Sequence, residues 1–174
     1  MEDTIEKIRI YGDPVLRKIS DEVTGFDDDL REIEDRLIDT MFSYRNGIGL
    51  SAPQIGISKR VLVIDQSFGE EYDNILTMVN TEIIESAGEI TVEEGCLSVP
   101  EIYEPVTRPG KIVARYRDID GEMHEIENDE FLARVIQHEL DHLNGILFVD
   151  RINQVRRKLL SKRLRTLSKE GGAV

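Results

Sequence analysis

Residues Phe131-Leu-Ala-Arg-Val-Ile-Gln-His-Glu-Leu-Asp-His-Leu143 carry the reading that decides the fold. Asn128 or Asp129 is placed to cap a helix here, and Gly145 supplies the C′ residue that tolerates a left-handed turn. Phe131, Leu132, Val135, Ile136, Leu140 and Leu143 cover most sides of that helix, so it is expected to be buried against sheets. A buried helix keeps polar side chains only for a reason. His138 and His142 stand four residues apart, which puts both imidazoles on one face within reach of one ion. Glu139 is rotated by about 100° from His138, so its carboxylate can stand beside such an ion without ligating it, where a general base belongs.

Working outward, short β-branched or alternating segments at 60–65, 76–80, 112–118 and 123–128 read as strands, with Asp120-Gly121 as the tight turn between the last two. Upstream, Leu30, Ile33, Leu37, Met41 and Tyr44 recur at helical steps over 27–45, and Asn46-Gly47 stops the pattern. Asp13-Pro14 starts a short helical turn. The expected fold class is α+β: antiparallel or mixed sheets packed around a central buried helix that carries His-Glu-x-x-His, followed by a C-terminal helix. Residues 1–174 contain no repeat or low-complexity linker and read as one domain with a frayed end at 170–174.

A hydrolytic site of this kind needs a third protein ligand and an open position. No further histidine follows the helical pair, which leaves His124, a distal carboxylate or Cys96. Cys96 sits in Glu94-Gly95-Cys96-Leu97-Ser98, whose glycine permits close backbone approach. Gly47 and Gly49 flank Ile48 at a second possible strand edge, ahead of Gln54, whose amide can donate to a developing oxyanion.

Composition narrows the classes further. Charged residues make up 33% and the formal net charge is −13, which disfavours binding of DNA by the body of the chain. The charge is uneven: 151–169 holds eight Lys or Arg and no acid. That segment is expected to be a basic helix, with Ile152, Val155 and Leu159 as its apolar side. No stretch is long and apolar enough to span a membrane, and the start lacks the features of a signal peptide. With a single cysteine no intramolecular disulfide can form, and a cytoplasmic setting is expected.

Three segments in order, 47–54 (Gly-Ile-Gly-Leu-Ser-Ala-Pro-Gln), 94–98 (Glu-Gly-Cys-Leu-Ser) and 137–142 (Gln-His-Glu-Leu-Asp-His), resemble the three motifs of peptide deformylases. The early Gly12-Asp13-Pro14-Val15-Leu16-Arg17 resembles the same family's opening, so the likeness covers about residues 8–151. It implies removal of the formyl group from the N-terminal formylmethionine of nascent polypeptides, releasing formate. It implies that Cys96, His138 and His142 hold the metal and that Glu139 moves the proton. Gln54 and the backbone N–H of Leu97 would stabilise the oxyanion. Ile48, Gly49 and Gly95 would pair with the peptide backbone, and Ile48, Val92, Phe131 and Val135 would line the methionine pocket. The implied cofactor is Fe2+, with Zn2+, Ni2+ or Co2+ able to substitute. Ser51 stands where the family commonly has alanine, and Arg134 and Tyr103 also depart from common choices, which bears on side-chain preference. The competing expectations are a metallopeptidase with a different third ligand, and a non-catalytic metal-binding protein that gives Glu139 no task. The basic helix is either a solvated packing helix or a docking element for the ribosome.

Overall fold

A computed structural model describes residues 5–70 and 74–171. Helix α1 spans Asp28–Ser43, its first turn capped by Asp27, whose carboxylate accepts from the Leu30 N–H at 3.3 Å. Strands β1 (Gly49–Ser51), β2 (Val61–Asp65) and β3 (Ile75–Ala87) follow, then the hairpin β4 (Ile90–Cys96) and β5 (Val99–Arg108). Strands β6 (Lys111–Arg117) and β7 (Met123–Asn128) precede helix α2 (Phe131–Leu143) and the C-terminal helix α3 (Gln154–Gly171). Short 3-10 turns at Pro14–Arg17, Ala52–Ile55 and Phe148–Asp150 complete the order.

One five-stranded sheet has the order β1-β2-β3-β6-β7, and β4-β5 form a separate two-stranded sheet. All these strand pairs are antiparallel. β2 explains the layering. Its five residues are all buried, because Val61 and Val63 face α1 through Leu37 and Met41, while Leu62 and Ile64 face α2 through Ile136, Leu140 and Leu143. Each such fully buried aliphatic side chain stabilises the fold by roughly 1.5–3 kcal/mol. The expected α+β architecture with a central buried helix is what the structure shows.

Several expected boundaries move. α2 begins at Phe131, yet the capping oxygen is that of Asn128, which accepts from the N–H groups of Glu130 at 3.0 Å and Ala133 at 2.9 Å. Phe131 is 47% exposed in the first turn, where it meets Phe68 edge to face, so the apolar surface of α2 is less complete than its composition implies. β3 runs on to Ala87 beyond the expected strand at 76–80, through two irregularities in its pairing with β6.

α3 starts at Gln154 and includes Glu170 and Gly171; residues 172–174 of the expected frayed end lie outside the described residues. Its buried side is Leu164, Leu167 and Gly171, which pack with Val99, Ile102, Val106 and Phe148 or against the segment at Tyr11. Val155 and Leu159, expected on the apolar side, are 71% and 79% exposed, and Ile152 is buried ahead of the helix. The packing face is therefore set by the second half of the helix. No described helix is long and apolar enough to cross a membrane.

Candidate active site and metal centre

The site forms where α2 passes between β1 and the β4-β5 hairpin. Cys96 ends β4, and His138 and His142 project from successive turns of α2. Their ligand atoms all lie within 4.8 Å of one another, with Cys96 Sγ 3.3 Å from His142 Nε2. His124, the competing third ligand, is instead on β7, where it pairs with Asp118 at 2.6 Å. Among the described residues this is the one His, Cys and carboxylate group close enough to share an ion.

The electrostatics suit a cation. His138 Nδ1 donates to Glu94 Oε2 at 3.0 Å, which leaves Nε2 as the atom that could bind an ion. Burial works against a charged His138, but hydrogen bonds with Cys96 and Glu94 outweigh it and raise its pKa well above the usual histidine value. The same surroundings would favour a divalent ion in place of that proton. His142 goes the other way. Burial, then the neighbouring positive charges of His138 and Arg108, keep it neutral, as a metal ligand must be. Burial opposes ionisation of Glu94 too, yet His138 and Arg108 hold its carboxyl well below the usual carboxylate range.

Glu94 is the hub of a buried ion network. It accepts from Arg108 Nε at 2.6 Å and Nη2 at 3.0 Å and pairs with Arg134. Arg108 also reaches Asp141 at 2.8 Å, and Asp141 binds Arg151 through two contacts of 2.5 Å. Asp141 lies on α2 between the two histidines, so this chain of charges ties the metal helix to β4, β5 and the start of the C-terminal segment. Spacing alone assigns no role to Arg108. The available signal is that its buried partners, Glu94 and Asp141, both belong to the quoted motifs.

Glu139 is 4% exposed, and its Oε2 is buried without a hydrogen-bond partner among the described residues. Burial pushes its pKa up to about 7, in the range where a carboxyl group can both accept and return a proton near neutral pH. Gly49 makes room for it: a Cβ there would stand 2.8 Å from Glu139 Oε1 and 3.0 Å from Val135 Cγ1. Gln54 is 2% exposed with a fixed orientation. Its Oε1 accepts from the N–H and the hydroxyl of Ser51, both at 2.9 Å, while its Nε2 donates to Ser98 Oγ at 3.2 Å and lies 3.7 Å from Cys96 Sγ. The amide N–H2 thus faces the metal centre. Ser51 and Ser98 are the orienting residues that sequence reading left without a role.

A cavity of about 520 Å³ opens over this centre. Ile48, Gly49, Gln54, Gly95, Cys96, Leu97, Phe131, Val135, His138 and Glu139 line it, so the structure brings together most of the expected residues. Val92 is not among them. It is 42% exposed on β4, and the cavity is lined by its neighbours Glu93, Glu94 and Gly95 instead.

Residues 5–158 match the sequence profile of the polypeptide deformylase family. The chain belongs to that family. It is 45% identical to a peptide deformylase of Acidobacterium capsulatum over 96% of this chain and 98% of the relative. Among solved structures, a peptide deformylase of Legionella pneumophila superposes with a TM-score of 0.86 at 40% identity, covering 98% of this chain and 99% of the other. A Plasmodium falciparum peptide deformylase gives 0.90 at 39% identity over 97% and 98%. Deformylases are metal-dependent hydrolases of protein biosynthesis that remove the formyl group from the N-terminal methionine of nascent polypeptides, and this chain is an enzyme of that reaction. The metallopeptidase and non-catalytic readings are not favoured.

Proposed function

We propose the following division of labour for the deformylation of nascent chains by a single catalytic domain over 1–174. Cys96, His138 and His142 hold one divalent ion, Fe2+ in the cell, with Zn2+, Ni2+ or Co2+ able to occupy the same thiolate-imidazole set. The donor set fits it: three convergent ligand atoms, one neutral imidazole, and one imidazole fixed by a carboxylate. When bound, the ion supplies Lewis-acid chemistry, making water acidic and polarising the formyl carbonyl. Glu139 takes the proton of the attacking water and returns it to the amine nitrogen as the C–N bond breaks. Gln54 Nε2 and the N–H of Leu97 receive the charge that develops on the formyl oxygen. Ile48, Gly49 and Gly95 hold the peptide backbone in strand fashion, and Ile48, Phe131 and Val135 accept the methionine side chain.

One observation supports this most: Glu139 is buried and lines the cavity together with Cys96 and His138, and its Oε2 has no hydrogen-bond partner among the described residues. The test is formate and free-amine release from a formylmethionyl peptide by anaerobically prepared, iron-loaded protein, beside Glu139→Ala. Turnover by the wild type and none by the variant, with metal retained in both, is expected. Stoichiometric metal without turnover by the wild type would overturn the reading.

The setting follows as a second part of the proposal: a cytoplasmic enzyme that meets nascent chains at the ribosome. Arg156, Arg157 and Arg163 of α3 are paired with Glu104, Asp150 and Glu101, whereas Lys158, Lys162, Arg165 and Lys169 form no ion pair among the described residues. Those four supply the cationic face for RNA. Because Leu164 and Leu167 belong to the core, charge reversal is a cleaner test than truncation. Co-sedimentation with ribosomes should be salt-sensitive and lost in a Lys158→Glu, Lys162→Glu, Arg165→Glu variant; unchanged co-sedimentation would count against docking.

A further inference from the structure

Along α3, Arg157, Lys158, Ser161, Arg165 and Ser168 recur at three- and four-residue steps and so share one face. That face, with the buried Leu164 and with Tyr11 from the N-terminal segment, encloses a groove of about 460 Å³. The groove shares no lining residue with the cavity over the metal centre. Ser161 and Ser168 are short, which leaves the space open. Tyr11 is held in place from two sides: its N–H donates to the Ser98 carbonyl at 2.8 Å, and its own carbonyl lies against Gly171, where a Cβ would stand 2.4 Å away.

The charge here is one-sided. Three cations line the groove and, among the described residues, no aspartate or glutamate does, on a chain whose formal net charge is −13. Arg157 is compensated, because its Nη1 reaches Asp150 at 2.6 Å and the Val149 carbonyl at 2.7 Å. Arg17 lies over the Tyr11 ring, 5.6 Å from its centroid, and is likewise paired with Asp150, so it holds the ring without adding net charge. Lys158 forms no ion pair among the described residues, and Arg165 is engaged there through Nε alone, at 3.3 Å from the Ser161 carbonyl.

Lys158 and Arg165 stand two helical turns apart, about 10 Å along the axis. Both side chains are long enough to meet one anion between them, beside the Ser161 hydroxyl. An arginine fork, an ammonium and a hydroxyl suit a phosphate, while the Tyr11 ring and Leu164 offer an apolar surface for a flat ring. The volume is that of a small-molecule site. We infer that this groove binds a nucleotide unit, with its phosphate on Lys158 and Arg165 and its base against Tyr11 and Leu164. The inference is independent of the deformylase reading. It also differs from ribosome docking, which draws on the charge of the whole helix.

The experiment titrates zinc-loaded full-length protein with adenosine 5′-monophosphate at low ionic strength and follows backbone amide resonances. Shifts at Tyr11, Ser161 and Arg165 with a Kd of about 1 mM or below are expected. Inorganic phosphate and adenosine should each bind at least about fivefold more weakly, since each lacks one half of the ligand. Lys158→Glu, Arg165→Glu should weaken binding by about tenfold. Lys162→Glu, Lys169→Glu makes the same charge change outside the groove and should stay within about twofold of wild type. All four positions are exposed, so both variants keep the fold. Equal losses in the two variants, phosphate binding as tightly as the nucleotide, or shifts confined to the metal centre would each overturn the inference. A short oligoadenylate without a terminal phosphate separates the sources. Competition with the mononucleotide means that the unit is taken from RNA; no competition means that the free nucleotide is the ligand.

Discussion

His138 presents only its Nε2 to the metal centre because its Nδ1 donates to Glu94 at 3.0 Å. Glu94 is in turn held by Arg108 and Arg134, so the ring's orientation is inherited from a buried charge network instead of being set by the helix alone. A carboxylate behind a histidine in this way fixes the tautomer and would raise the basicity of Nε2 toward a metal ion.

Glu94→Gln is therefore expected to weaken metal binding by about 10- to 100-fold. It also leaves two buried guanidinium groups short of an anion, so thermal stability should fall as well. Chelator competition separates the two effects when it is run below the variant's melting transition. Unchanged metal affinity there would show that His138 is oriented without Glu94.

Gly49→Ala tests the space around the general base. The added Cβ would meet Glu139 Oε1 and Val135 Cγ1 at the distances of a clash, and Glu139, on a packed helix, has little room to retreat. Displacing a proton-transfer group by even a fraction of an ångström should lower kcat by about 10- to 100-fold, with metal content intact. Steady-state kinetics alongside metal analysis checks both halves of that expectation.

Ser51→Ala removes one of the two hydrogen bonds that Gln54 Oε1 accepts from Ser51 and leaves the backbone one. The lost hydrogen bond corresponds to about 1 kcal/mol, so a loss of about fivefold in kcat/KM is expected. The change should fall on kcat more than on KM, because Gln54 is proposed to act on the developing oxyanion and not on the bound peptide.

The two histidines and Glu139 were legible because helical spacing alone fixes their relative positions, and the surrounding leucines and isoleucines announced a buried helix. The β4-β5 hairpin was less so. Its inward face carries Glu94 and Arg108, both buried, and pattern reading sends charged residues outward unless their mutual pairing is known. Val92 fits the pocket by its apolar character and its place next to the motif, but the cavity meets β4 through Glu93, Glu94 and Gly95, a choice that composition does not reveal. The extension of β3 through Thr81–Ala87 escaped because register irregularities between Val79 and Glu82 and between Ile83 and Glu85 break the alternation on which strand reading depends. On α3, Val155 and Leu159 fit an amphipathic stripe as well as Leu164 and Leu167 do. Only the docking of the helix end at Gly12 and Tyr11, where Gly12 and Gly171 permit close backbone contact, decides between them.

Asp150 carries a prediction about acid stability. It joins three parts of the chain: Arg17 in the first helical turn, with contacts of 2.5 and 3.3 Å, Arg157 in α3 at 2.6 Å, and the Leu147 N–H at 2.9 Å. Burial favours its neutral form, but the hydrogen bonds from Arg17, Leu147 and Arg157 outweigh that and lower its pKa below the usual aspartate value. A folded-state pKa below the unfolded one means that the folded chain binds the proton less readily. The stabilisation is thus fully present above the unfolded pKa of about 3.9 and is lost as pH falls through the lower folded value. Because Arg17 and Arg157 are well exposed, at 41% and 39%, the whole cluster is worth only about 1 kcal/mol. Asp150→Asn should accordingly be less stable than wild type by about 1 kcal/mol in urea unfolding at neutral pH, and the two curves should converge below about pH 4. Running both proteins with chelator present keeps acid-driven metal release out of the comparison. A difference that persisted undiminished in acid would mean that Asp150 acts through packing and not through its charge.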